Sequence, residues 1–241
     1  MNGAAVERYL RLKQEIADLA RAAGRAPDSV RLIAASKTHP PETLEPLIQA
    51  GLADFGENTV QEALPKIEAL RERNLTWHFI GHLQSNKAKN IPGNFTWLHS
   101  LDSLALATRL ERLAAESNTR LKALIEINVT RDPRKHGVAP DELDRLLDSL
   151  LRAEFRYIAL RGLMTIGPHA ATSEEKRKCF SELRQLCETA RRKHDLPNFD
   201  QLSMGMTDDY AEAIAESATM VRVGTGIFGA RTYRSRALDE P

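Results

Sequence analysis

The feature that most restricts how this chain can fold is an alternation of eight short β-permissive runs with segments of helical periodicity. The runs cover residues 32–35, 53–56, 77–80, 96–100, 122–129, 160–166, 201–204 and 220–223. Helical signals fill the gaps. Gly51 stops the segment after the first strand. Leu64, Ile67 and Leu70 point inward from the next, with Pro65 placed to kink it. Ser103 caps a helix that runs to Glu116. Leu143, Leu146, Leu147, Leu150 and Leu151 form a stripe behind the first-turn Pro140. Thr172 with Glu175 makes a capping box for a long helix whose inner face is Phe180, Leu183, Leu186, Cys187 and Ala190. Thr207 is read as the cap of a helix through Ser217. A further helix precedes the first strand, with Val6, Tyr9, Leu10, Ile16, Ala17 and Ala20 at helical spacing and Gly24 as its stop. Strands alternating with helices, without low-complexity segments or linkers, define an α/β chain folded as a single (β/α)8 TIM barrel with an extra N-terminal helix. The barrel is expected over residues 1–231 and a polar tail over 232–241.

A length of 241 residues suits one undivided barrel. With 34 basic and 33 acidic residues, net charge offers no bulk attraction to nucleic acid or membrane. No apolar run is long enough for a bilayer, and the N-terminus reads as an amphipathic helix, not a signal peptide. Cys179 and Cys187 lie in one helical pattern, too far apart along it to pair. A reducing cytoplasm is the expected compartment, and a monomer the expected state.

In such a barrel the site is built from the residues just past the C-terminal end of each strand. The first strand leads to Lys37, the second to Glu57 and Asn58, and the third to His82. The sixth leads to Met164 and Thr165 and the seventh to Ser203, while the eighth carries Arg222 and then Gly224-Thr225-Gly226. Residues 32–35 suit a strand buried on both faces, ended by Pro40 and Pro41. A lysine there is poorly hydrated, and desolvation lowers an ammonium pKa, leaving an amine able to form an imine. Lys37 is therefore the candidate Schiff-base residue; the alternative is a lysine that snorkels to solvent.

Gly224-Thr-Gly-Ile-Phe-Gly229 matches the dinucleotide pattern G-x-G-x-x-G, but only twelve residues lie beyond it, which leaves no room for the acidic partner of a Rossmann unit. What remains is a glycine-rich turn after the eighth strand, where barrels bind phosphate through backbone N–H groups, with Ser203 placed to add a hydroxyl. A tight barrel-closing turn is the other reading. An imine-forming lysine facing a phosphate cradle describes a site for a phosphorylated aldehyde, and pyridoxal 5′-phosphate (PLP) fits. Arg222 would lie near the pyridine nitrogen; an arginine cannot accept a proton, and so leaves the ring a weaker electron sink.

Six stretches carry a resemblance: Ala35-Ser-Lys-Thr38, Phe55-Gly-Glu-Asn58, His78-Phe-Ile-Gly-His-Leu-Gln-Ser-Asn-Lys87, Gly162-Leu-Met-Thr165, Leu202-Ser-Met-Gly-Met206 and Val221-Arg-Val-Gly-Thr-Gly-Ile-Phe-Gly229. In this order they resemble the pyridoxal phosphate homeostasis proteins, a family similar to the N-terminal barrel of alanine racemase (a fold type III PLP barrel) without that enzyme's second domain. The resemblance implies an internal aldimine at Lys37, phosphate contacts at Ser203, Gly224 and Thr225, and a ring contact from Arg222. It also implies Asn58 and Met164 beside the cofactor. One segment departs: many relatives carry Lys-Ser-Gly after the fifth strand, whereas here it reads Arg134-Lys-His-Gly137. Arg131, Arg134 and Lys135 read as a solvated basic loop.

The family's members are PLP carriers without established turnover, so the resemblance implies a carrier or regulator of intracellular PLP, with PLP-requiring apoenzymes as possible recipients. The alternatives are a PLP-dependent amino-acid racemase or related enzyme, and a Schiff-base aldolase. Racemisation needs two proton-transfer groups on opposite faces of the substrate carbon, and the sequence shows one side only. No clustered His, Cys or carboxylate pattern supports a metal.

Overall fold

Runs with too few polar side chains to face water on either side become parallel strands in the computed structural model, which describes residues 2–229. The strands are β1 (Arg31–Ala35), β2 (Asp54–Glu57), β3 (Thr76–Phe79), β4 (Trp97–Leu101), β5 (Leu121–Glu126), β6 (Ile158–Met164), β7 (Gln201–Ser203) and β8 (Met220–Val223). They pair in sequence order, and β8 closes on β1. The helices are α1 (Asn2–Ala22), α2 (Pro41–Gln49), α3 (Val60–Ala69), α4 (Leu104–Glu116), α5 (Leu143–Arg152), α6 (Ser173–Lys193), α7 (Tyr210–Ala215) and α8 (Thr225–Phe228). This is the expected (β/α)8 barrel with its extra helix. The expected tail, 232–241, lies outside the described residues. No helix among them is long and apolar enough to cross a membrane.

Caps form where side-chain chemistry demands them. Ser103 accepts from Leu106 N–H at the head of α4, and the Thr172–Glu175 box closes in both directions on α6. Two expectations change. Leu10 is half exposed and Leu12 is buried instead, because Ala5, Tyr9, Leu12, Ile16 and Ala20 keep a single stripe at steps of three and four. Thr207 does not cap α7. Asp209 stands at that position, its Oδ1 accepting from Met206 N–H at 2.5 Å, and Thr207 is turned toward α8.

A large apolar layer lies between strands and helices, and a second, small cluster of Ile33, Trp97, Leu124, Met164 and Met220 fills part of the barrel interior. The wall is irregular beside Gly162. The β5–β6 register slips between Ala123 and Leu124. Gly162 itself has φ of +145°, and a Cβ there would fall 2.0 Å from the Gln201 carbonyl oxygen. Only glycine lets β6 and β7 come this close.

Candidate functional site at the C-terminal mouth

Lys37 stands two residues past the end of β1, in the alternation that turns Ile33 into the barrel interior, and its side chain is half-buried. The backbone under it is tied down from behind. Ser36 Oγ donates to Glu57 Oε1 at 2.5 Å, and Lys66 Nζ from α3 donates to both the Ser36 carbonyl and Glu57 Oε1 at 2.7 Å. Thr38 takes a positive φ of 68°, with its N–H on Glu62 Oε2. Lys66 escaped the sequence reading although Ala63, Lys66, Ile67 and Leu70 share one helical stripe. A lysine inside an apolar stripe was the available signal. Glu57, whose side chain is fully buried, has its pKa raised because desolvation outweighs the bonds from Lys66 and Ser36. It braces the loop and does not serve as an exposed base.

β8 lies beside β1 with Arg222 opposite Ile33 and Val223 opposite Ala34, so Arg222 and the glycine turn are neighbours of Lys37 by register. Arg222 Nη2 donates to the Thr165 carbonyl at 2.9 Å and Nη1 to Ser203 Oγ at 2.5 Å. Burial pushes its pKa down to about 10, against the pull of Asp209 and Glu126, so it remains a cation at neutral pH. Beyond it, Thr225 Oγ1 lies 3.1 Å from Thr207 Oγ1, and the Gly226 N–H donates to Thr207 Oγ1 at 3.4 Å. A Cβ on Gly226 would meet Val223 Cγ1 at 2.7 Å, so a larger residue there would have to displace Val223. His39 stacks on Phe228 with centroids 4.2 Å apart, joining the Lys37 loop to α8. Arg8 of α1 donates to the Ile227 carbonyl at 2.7 Å, which is how the extra helix supports the turn.

The other expected residues divide. Asn58 is half-buried at the end of β2, against Gly81, where a Cβ would fall 2.2 Å from the Asn58 carbonyl oxygen. Thr225 is exposed and Gly224 partly so. Met164 is buried in the interior cluster below the mouth. Ser203 differs most: its side chain is fully buried, with its hydroxyl committed to His99 and Arg222, so the hydroxyl that β7 offers to the turn is that of Thr207. Strand parity explains this, because the inward residue of so short a strand sits below the rim.

The loop after β5 is only partly a solvated basic segment. Arg131 pairs with Asp141 and Arg134 with Asp132 in the open. Lys135 is half-buried, and its Nζ donates to the carbonyls of Ile166 at 3.1 Å and Gly167 at 2.8 Å. His136 stacks on His82 with centroids 3.7 Å apart, linking this loop to the one after β3.

Glu126, the last residue of β5, is 5% exposed, and among the described residues nothing donates a hydrogen bond to its carboxylate. Desolvation pushes its pKa up to about 7 against the pull of Arg222. A carboxyl raised in the folded state stabilises the protein below its unfolded pKa, and the contribution is lost as pH rises through the folded value. Glu126→Gln is therefore expected to leave the melting temperature near pH 4.5 unchanged and to raise stability at pH 8 by up to about 3 kcal/mol. Thermal melts of the unliganded protein at the two pH values check this.

The class of barrel is set by a family model: that of the alanine racemase N-terminal domain matches residues 10–232. Alanine racemase from Corynebacterium glutamicum superposes with a TM-score of 0.68 at 19% identity, over 98% of this chain and 63% of that one, so the barrel fold is shared. Relatives of similar length stand nearer. The pyridoxal phosphate homeostasis protein of Aquifex aeolicus is 41% identical over 95% of this chain and 99% of its own. That of Escherichia coli K12 is 41% identical over 93% and 96%. PipY of Synechococcus elongatus PCC7942, solved with PLP bound, superposes with a TM-score of 0.82 at 36% identity, over 93% of this chain and all of that one. The chain belongs to the pyridoxal phosphate homeostasis protein family.

Proposed function

We propose that this protein binds PLP in the barrel mouth and carries or buffers it for intracellular PLP homeostasis. The observation that supports this reading is the β1–β8 pairing, which makes the Lys37 loop a neighbour of the buried cation Arg222 and of the Gly224 turn, where Thr207 meets Thr225. When bound, PLP supplies an aldehyde and an electron-withdrawing ring. Lys37 would supply the amine that meets the aldehyde carbon. The hydroxyls of Thr225 and Thr207, beside the 224–226 turn, would hold the phosphate in place of the Ser203 contact. Arg222, which can only donate, would sit by the ring nitrogen and leave it without a proton. Asn58 lies at the rim beside the ring. The expected setting is the cytoplasm, where PLP-requiring apoenzymes are the recipients, with the protein acting as a monomer.

The buried Glu126 favours one second reading, an amino-acid racemase or related PLP enzyme, because it places a group able to hold a proton at neutral pH in the same mouth as Lys37. The two readings separate in one experiment. Protein loaded with PLP is mixed with a PLP-requiring apoenzyme, and separately with L-alanine. Restored apoenzyme activity with unchanged optical rotation supports the carrier; loss of rotation proportional to protein supports the enzyme. Thr207→Val is expected to weaken PLP about tenfold, near 1.4 kcal/mol for one hydrogen bond to a charged group, and to leave pyridoxal without its phosphate unaffected. Equal losses for both ligands would remove Thr207 from the phosphate site.

A further inference from the structure

A TIM barrel normally fills its interior with layers of branched aliphatic side chains. Here a file of polar groups crosses that interior. Arg31 Nη1 lies 2.8 Å from Asp54 Oδ1 at the N-terminal rim, and Asp54 Oδ1 lies 2.9 Å from His78 Nε2. His78 Nδ1 is 3.0 Å from His99 Nε2, His99 Nδ1 is 2.9 Å from Ser203 Oγ, and Ser203 Oγ is 2.5 Å from Arg222 Nη1. β4 and β7 are not neighbours in the barrel wall, so the His99–Ser203 contact passes through the interior. His78, His99 and Ser203 have no exposed surface. A buried network of this kind costs free energy unless every member is satisfied, and breaks of the local packing rule of this sort concentrate at functional sites.

Donor counting leaves one arrangement that satisfies every member with both histidines neutral. Arg222 can only donate, so Ser203 Oγ accepts from it and gives its own hydrogen to His99 Nδ1. His99 then carries its proton on Nε2 and donates to His78 Nδ1, and His78 carries its proton on Nε2 and donates to the Asp54 carboxylate. Burial pushes both histidines below the usual imidazole range, in keeping with two neutral rings. From Arg222 to Asp54 every hydrogen bond runs the same way, from the cation at the mouth to the carboxylate at the opposite rim, where Arg31 also donates to Asp54.

We propose that this file is a positioning device: His99 and His78 fix the Arg222 guanidinium and tie its charge to Asp54, so that a group at the far end of the barrel sets the electrostatics of the ligand site. The charged groups that face it are Arg31 beside Asp54, Lys122 over the Trp97 ring at 5.2 Å, and Glu126 and Asp209 near Arg222. The claim about the ligand rests on the PLP reading; the direction of the chain does not.

Two measurements therefore test it separately. Nitrogen-15 NMR of the unliganded protein is expected to show both imidazoles as neutral Nε2–H tautomers from pH 5.5 to 8. A cationic ring at pH 7, or an Nδ1–H tautomer at either residue, overturns the chain. In the PLP-loaded protein, Asp54→Asn removes the distant negative charge and leaves Arg222 less compensated, which disfavours a protonated imine nitrogen. The pH midpoint of the visible band is expected to fall by at least half a unit. His99→Leu is expected to shift it likewise, and His99→Gln, which keeps one donor and one acceptor, to stay near wild type. An unchanged midpoint in Asp54→Asn overturns the coupling. If wild-type protein forms no band with PLP, the ligand reading fails and the tautomers alone decide the chain.

Discussion

Lys37→Ala is expected to abolish the visible band that forms with PLP and to weaken PLP binding by about 100-fold or more, close to 3 kcal/mol. The glycine turn remains intact in this variant, because its hydroxyls and glycines belong to the loop after β7, the turn after β8 and α8. Some affinity therefore survives, and with it competition by inorganic phosphate. Absorbance titration and equilibrium dialysis of wild type beside the variant make the comparison, with borohydride reduction and peptide mapping to locate the modified lysine. A band that persists in Lys37→Ala would place the imine elsewhere. Lys135 is an alternative in kind, although its ammonium is already committed to two carbonyls in the loop after β6.

Lys66→Met is expected to cost about 3–5 kcal/mol of folding stability, because it leaves the Glu57 carboxylate buried without its cation. Glu57 Oε2 already has no partner, so the loss cannot be shared between the two oxygens. The cost has a sign in pH. Glu57 is raised even with Lys66 present, and losing the ammonium raises it further. The variant is therefore nearest to wild type at low pH, where Glu57 is protonated in both states, and the gap widens as pH rises through the folded pKa of Glu57. Urea unfolding at pH 5 and pH 8 reads this directly. Replacing both residues, Lys66→Met with Glu57→Gln, is expected to recover much of the stability at pH 8. Since Lys66 also holds the Ser36 carbonyl, the single variant should lose PLP affinity as well, and an unaltered affinity would show that the brace does not position Lys37.

The barrel was legible because its signals are local. Ser103 and Thr172 cap the helices expected of them, and Gly24 and Gly51 both adopt positive φ where helices end. The positions of Lys37 and the Gly224 turn were legible for a related reason: a residue just past a barrel strand lies at the mouth whatever the details of packing. Leu10 and Thr207 were misplaced where two local rules competed. Leu10 is apolar but one position away from the stripe. Thr207 is a good capping type, but Asp209 stands at the N-cap position and the Thr207 hydroxyl meets Thr225 and Gly226 instead.

The contacts between elements distant in sequence were not legible. Ser203 fits the pattern of a strand end, yet its hydroxyl meets His99, 104 residues earlier, and so leaves the rim. Lys66 reaches Ser36 across 30 residues, and His78 reaches Asp54 across 24. The sequence by itself determined the eight repeats, the closed barrel and the chemical types gathered at its mouth, because hydrophobic period, caps and turns act over a few residues. Only the tertiary structure decided which polar side chains turn into the barrel and which of them meet. That depends on strand register, which is set by the packing of the whole closed sheet, and a step of one residue moves a side chain from the mouth or interior to the helix layer.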